Sequence, residues 1–514
     1  MKNGHNQVDG NYLDAASDDA VSSAPASIVE ILSTGGYNSF SFPTAANLYS
    51  SDRNYYQGIR RATEFINNIE VVPVKAQFNG FSEKYVWKSE ARFLRAYYYF
   101  ELVKRYGGVP LLYNKLYTIE DDLNVPRSSF EDCINFVVSE CDAIKDSLLV
   151  GPLNGSNSHR VSRAAALALK AQALLYAASP LYNGGNIDAD NPLTGYVGNE
   201  DPNRWVLAAN AAKEVLSQAN YDTVANKTIF TSIGNNEIIF MRASEFSTSI
   251  ETNNGPIGFA AAAGFGRTSP TQELVDAFPD KNGVAINAAG TLYNSGAPYL
   301  DRDPRLGVTV MYNGYAWLNA NIQTFEGGLN KPNVPSTVQT RTGYYMRKFM
   351  GDFAANNSYS NHPADWVIYR YTQVLLDYIE AQNEVTGPTA EIYNLLFKLR
   401  KRGGIPEGTN RQYGLVVTSD KAVLREIIRN ERRIELAFEG HRFFDIRRWK
   451  IANDVMNQPR GGMTIVRDGD NYTFTPTDVL QTQFINPKMY FYPIPDAEVR
   501  KNSAIGLANQ NPGW

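Results

Sequence analysis

With 514 residues, 43% of them hydrophobic and 20% charged, the chain has ample apolar content for a large folded core. Its 49 basic and 53 acidic residues give a formal net charge of −4 with no long basic run, which argues against a nucleic-acid partner. No run of about 18 apolar residues occurs, so no transmembrane helix is predicted, and the first twenty residues are too polar for a signal peptide.

Helical periodicity is read over residues 53–70, 82–106, 129–148, 162–178 and 205–219. It returns over 369–384, 389–402 and 419–449, the last with a break at Gly440. Ser82, Ser129 and Ser162 stand where N-caps belong. Ala164, Ala168, Ala171, Ala178, Ala208 and Ala212 recur where small side chains let helices approach closely, which suits stacked helix pairs. Cys133 and Cys141 lie eight positions apart on one predicted helix. At a rise of ~1.5 Å per residue their Cα atoms are ~12 Å apart, so both are expected to be buried small apolar residues rather than a disulfide.

Between the helical blocks, residues 221–365 lose the helical period and gain Gly, Pro and Asn. No low-complexity linker divides the chain, so a single domain is expected, with an N-terminal helical block (1–220), a loop-rich insertion (221–365) and a C-terminal helical block and tail (366–514). Two hairpins are predicted. One has strands 308–312 and 315–318 around Asn313-Gly314, and the other has strands 463–466 and 472–474 around Asp468-Gly469.

Residues 430–449 (NERRIELAFEGHRFFDIRRW) interleave paired charges with large apolar side chains. At helical spacing Arg432 falls beside Glu435, Glu439 beside Arg442, Arg442 beside Asp445, and Asp445 beside Arg448. Such a segment is expected to dock on both sides, with bidentate guanidinium–carboxylate pairs. It resembles the C-terminal helix signature of the SusD/RagB family of bacterial outer-membrane nutrient-binding lipoproteins. Three further stretches agree in type and order: 90–110 (EARFLRAYYYFELVKRYGGVP), 369–384 with 399–404 (YRYTQVLLDYIEAQNE, LRKRGG) and 492–514 (YPIPDAEVRKNSAIGLANQNPGW).

The resemblance implies a mainly α-helical scaffold of tetratricopeptide-like repeats carrying the insertion, and capture of an oligosaccharide or polysaccharide. It implies a SusC-like TonB-dependent transporter as partner, with a RagB-type peptide-binding protein as the alternative. Members carry a signal peptide and a lipid-modified cysteine, neither of which this sequence shows, so it implies a surface-exposed outer-membrane lipoprotein met here in a trimmed form.

No signature of a nucleotide loop, a zinc protease helix or a serine-hydrolase elbow occurs. His5, His159, His362 and His441 are scattered without a second ligand at metal spacing, and no metal, cofactor or catalytic residue is assigned. His441 is expected to be a packing residue. Glu435 and Glu439 would share a helix face, but basic neighbours should hold both ionised, which does not suit a general acid. Asp18-Asp19 and the Asp188, Asp190 pair lack the spaced ligand set of a calcium loop and are expected to be solvated turn acids.

Aromatic placement carries the binding-site reading, with 31 Tyr and 25 Phe in the chain. Trp87, Trp205 and Trp449 stand at core spacing on helices, and Trp366 and Trp514 lie beside or within the family-like stretches. Trp317 alone belongs to the insertion, near Tyr293, Tyr299, Tyr312 and Tyr315, and strand alternation puts Tyr315 and Trp317 on one face. Trp317, Tyr315, Tyr293 and Tyr299 are therefore candidate glycan contacts, with filling of a hairpin core as the other reading. The polar-aromatic stretch 37–56 adds Tyr37, Phe40, Tyr49 and Arg53, because the resemblance places it on the same ligand face.

Overall fold

A computed structural model describes residues 4–44, 46–49, 54–74, 76–78 and 80–514. The helical frame comprises α1 (Tyr55–Asn68), α2 (Glu83–Tyr106), α3 (Phe130–Ile144), α4 (Arg163–Ala178), α5 (Asn203–Leu216), α6 (Pro304–Thr309), α7 (Tyr371–Thr386), α8 (Ala390–Arg402), α9 (Lys421–Glu435) and α10 (Arg442–Arg448). From α1 to α5 each helix packs on the next, and α7 then lies against α5 and α4 and carries α8 and α9, so the two helical blocks form one stack.

The stack follows from side-chain size. Alanine, the strongest helix former, recurs through α4, where all eight alanines are buried. Ala208, Ala209 and Ala212 of α5 meet that face. Ser129 and Ser162 cap as expected, accepting from the backbone N–H of Asp132 (2.9 Å) and Ala165 (3.1 Å). Ser82 precedes α2 without a side-chain cap bond. Cys133 and Cys141 are buried and unpaired on α3. No described helix is long and apolar enough to cross a membrane.

The insertion is clamped at its ends by an antiparallel pair, β1 (Ile238–Arg242) with β2 (Trp366–Arg370), in which Trp366 faces Arg242. Within it the hairpin predicted at 308–318 does not form. Asp303 accepts from the N–H of Arg305 at 2.9 Å and Pro304 opens α6, so Val308 is helical. Val310–Met311 pairs instead with Tyr345–Met346. Ala316–Trp317 pairs with Ala320–Asn321 around Leu318 and Asn319, both at positive φ (49° and 55°), which supplies the twist of a two-residue turn without glycine. The other predicted hairpin is present and longer: β3 (Pro459–Asp468) pairs with β4 (Asn471–Gln481). Asp468 faces Asn471, so Gly469 and Asp470 form the turn, one residue beyond the expected pair.

The charges of 430–449 are buried as expected, but they pair differently. Of the four helical-neighbour pairs only Asp445–Arg448 forms an ion pair, at 2.8 Å. The helix ends at Leu436, and Phe438 and Gly440 take positive φ (64° and 76°), so Glu439 and Arg442 no longer share a helix face. The two backbone N–H groups freed there donate to the Asp14 carboxylate at 3.1 and 3.2 Å. Partners come from elsewhere in the chain. Arg442 grips Asp18 with two bonds of 2.8 and 2.7 Å, Arg433 reaches Asp19 at 2.6 Å, Arg448 pairs with both oxygens of Glu380, and Arg370 and Lys348 pair with Glu439. Asp18 and Asp19 are therefore buried ion-pair partners rather than solvated acids, whereas Asp188 and Asp190 are exposed. Burial alone would raise the Glu435 and Glu439 carboxyls. The cations around them outweigh it, holding Glu435 far below the usual range and Glu439 at about 2.

Two histidines are held neutral by the core. Burial, reinforced by the Arg432 charge, lowers His441 to about 3, and its Nδ1 accepts from Arg432 at 3.5 Å. Burial likewise lowers His5 to about 3, where the ring bonds the Tyr12 hydroxyl (2.6 Å) and the Asp365 carbonyl (3.3 Å). The unfolded chain takes up protons at these residues below an ordinary pKa of about 6.5, while the folded chain does so only near 3, so stability falls as pH drops through that window. Buried Asp14, raised to about 7, works in the opposite direction over the same window, so the histidine contribution is read by comparing melts of His441→Gln and the parent from pH 7 to pH 4, where the variant should lose less stability. An identical pH dependence in the two proteins would show that the His441 ring is hydrated.

Candidate functional site

The helices α1 and α2 line an open cleft of about 1100 Å³, with Arg242 at the end of β1 also in its lining. Each wall is one helix face. On α2, Trp87, Ala91, Leu94 and Tyr98 recur at spacings of three and four, and on α1 Tyr55, Gly58, Ala62 and Phe65 do the same. Gly58 has a specific reason to be glycine in a helix interior: a Cβ there would sit 2.7 Å from Cε2 of Tyr98. Its absence lets the Tyr98 ring lie against α1, stacked on Tyr55 at 5.3 Å and 26°.

The apolar floor is rimmed with polar groups. Asn54 caps α1 by accepting from the N–H of Gln57 at 2.9 Å. The side chains of Gln57 and Arg61 are exposed and make no hydrogen bond or ion pair with other described residues. Glu90, the one carboxylate among the described lining residues, receives two bonds from Arg160, at 2.9 and 3.1 Å. Burial pushes the Tyr98 hydroxyl upward, so it stays protonated at neutral pH. Trp87 is half-buried, with part of its ring facing the cleft. The arrangement offers stacking surfaces flanked by donors.

The predicted contact residues are not brought together. Trp317 is fully buried and lies outside this cleft, so the expectation of a ring available to ligand is corrected. Its Nε1–H donates to the Tyr359 hydroxyl at 3.3 Å, and the Arg347 guanidinium lies 5.0 Å from its ring. Tyr299 stacks on Tyr312 at 4.5 Å, Tyr312 meets Tyr315 edge-on, and Tyr293 sits under Arg302. Of the insertion candidates, Tyr315 lines a different cleft.

In the stretch 37–56, Tyr37 is buried between Phe42 and Trp514, where it holds the C-terminal tail. Tyr49 is buried against Tyr56 and Tyr106. Both are therefore corrected to core residues. Phe40 is 72% exposed beneath Arg500, away from the cleft lining, and Arg53 lies outside the described residues. The residues the sequence reading passed over are Trp87, Tyr98, Phe65, Gln57, Arg61 and Arg242. One signal for them was Gly58, an unexplained glycine inside a strongly periodic helix.

Comparison with known proteins places this geometry in a family. The profile described as the SusD family matches residues 236–514, and one described as starch-binding associating with outer membrane matches residues 11–175. The SusD-like protein P38 of Formosa agariphila is 24% identical over 438 residues, covering 82% of this chain and 76% of that protein. A SusD-like protein from Bacteroides fragilis superposes with a TM-score of 0.76 at 25% identity, over 98% of this chain and 93% of the other. A SusD-like carbohydrate-binding protein from the same species gives 0.72 at 23% identity, over 96% and 92%. The helical stack is thus the tetratricopeptide-like scaffold of these structures, and the chain belongs to the SusD family.

Proposed function

We propose that the protein captures oligosaccharides in the α1–α2 cleft at the cell surface and hands them to a SusC-like TonB-dependent transporter, held at the outer membrane by an N-terminal lipid. The observation that carries this reading is the pairing of half-buried rings, Trp87 and Tyr98, with Gln57 and Arg61, whose exposed side chains have no partner among the described residues, along one open cleft. Pyranose rings present C–H faces to aromatic planes and hydroxyls to amides and guanidinium groups. The carbohydrate-binding relative of the same fold and the outer-membrane description of the N-terminal profile support it. The reading is binding without turnover: Glu90 is held by Arg160, and among the described lining residues no second acid stands beside it.

The test is a glycan-array and calorimetric screen against plant, host and microbial polysaccharides. Trp87→Ala should weaken the glycan that binds by about 1–3 kcal/mol, the range for a truncated central anchor. Its melting temperature should stay close to the parent's, since the ring is only half-buried. The bound polysaccharide should keep its chain length. Unchanged affinity in Trp87→Ala would move the site elsewhere, and binding of peptides alone would put RagB-type capture first.

A further inference from the structure

A second cleft, of about 560 Å³, opens in the insertion, and no described residue lines both it and the α1–α2 cleft. Its chemistry differs. The walls hold Lys227, Arg347, Lys348 and His362 against one carboxylate, Asp352. Lys348 is already satisfied, by Glu439 at 2.7 Å and by the carbonyls of Glu435 and Ala437 at 2.8 and 2.9 Å. His362 donates from Nε2 to the buried Glu251 carboxylate at 2.7 Å. Lys227 is exposed and has no partner among the described residues.

Arg347 is the telling residue. Its side chain is 12% exposed, yet its nearest carboxylate is Asp352 at 3.8 Å, a residue whose own side chain is 75% exposed. Nη1 donates to the Met350 carbonyl at 2.8 Å, and Nε has no partner among the described residues. The guanidinium lies over the Trp317 ring, 5.0 Å from its centroid. A nearly buried guanidinium in so weak an ion pair is undercompensated, and an anion entering the cleft would complete it. Beside it, Phe230 and Tyr315 are half-buried rings on the same lining.

We propose that this cleft is a second saccharide subsite that takes an acidic sugar residue, its carboxylate or sulfate against Arg347 and Lys227 and its ring against Phe230 and Tyr315. A neutral sugar would leave Arg347 as it stands, whereas a uronate or sulfate supplies the missing charge. Trp317 is then a positioning residue, acting through Arg347.

Calorimetry on the full chain with trigalacturonate, a sulfated galactose trisaccharide and neutral maltotriose tests this. At least one acidic probe should bind, and which one does distinguishes carboxylate from sulfate. Its affinity should fall as NaCl rises, and maltotriose should not displace it. Arg347→Gln should weaken it about tenfold or more and Lys227→Ala about threefold, while Trp87→Ala leaves it unchanged. Lys227 is exposed, so its variant reads the site even where Arg347→Gln perturbs folding. The proposal is overturned if neither acidic probe binds, or if binding survives both insertion variants. It is equally overturned if Trp87→Ala abolishes acidic binding, which would place that ligand in the α1–α2 cleft.

Discussion

Arg370→Ala is expected to cost about 3–5 kcal/mol of folding stability, because it strips a buried charge cluster of its central cation. Arg370 ends β2 and precedes the first turn of α7, with 1% of its surface exposed. Its guanidinium bonds Glu237 at 2.6 Å, both oxygens of Glu439 at 2.7 and 2.8 Å, and the Glu435 carbonyl at 2.9 Å. Truncation leaves Glu237 to Arg402, which Glu435 shares, and Glu439 to Lys348, so that buried carboxylates lose the cation that bridged them. Urea denaturation should show a lower midpoint with an unchanged slope. Arg500→Ala provides the contrast, since Arg500 is 72% exposed opposite Asp496 and should move stability by no more than about 1 kcal/mol. Equal midpoints for the two variants would mean that Lys348 and Arg402 compensate the cluster by themselves.

That cluster also marks how far the sequence could be read. The helices were legible because their apolar positions repeat every three or four residues and their caps are local, as at Ser129 and Ser162. The charge pairing was not, because helical-neighbour pairing assumes an unbroken helix. The chain leaves the helix after Glu435, and the carboxylates that answer its arginines, Asp18, Glu380 and Asp377, lie 55 to 424 positions away. In the insertion, Asn313-Gly314 is a true turn, closed by the Tyr315 N–H donating to the Tyr312 carbonyl at 3.0 Å. The strands it was expected to join were claimed by stronger local signals, Asp303-Pro304 starting a helix and Leu318-Asn319 forming the tighter hairpin.

The binding cleft was hidden for a related reason. A helix apolar on several faces, such as α2, does not say which face its neighbours leave open. Trp87 and Trp205 look alike in periodicity, yet only Trp205 is covered. Exposure is a property of the packed stack, so Trp87 could be found only once the face of α2 left open beside α1 was seen.

Trp317→Ala is expected to separate from Trp87→Ala in the opposite sense. Trp317 is fully buried, packed edge-on to Phe353 at 5.8 Å and beside Tyr359 at 6.1 Å, so truncation opens a cavity and should cost about 3–5 kcal/mol. The Tyr359 hydroxyl also loses the indole N–H that donates to it. The loss falls on the insertion, whose ends are clamped by β1 and β2, while the walls of the α1–α2 cleft belong to the helical stack. Glycan affinity at that cleft should therefore match the parent's within about twofold under conditions where the variant is folded, as expected for independent sites. Acidic-sugar affinity should fall with Arg347 unsupported. Parent-like melting of Trp317→Ala would show that the ring is not part of the core. Loss of neutral-glycan binding at full folding would return the site to the insertion.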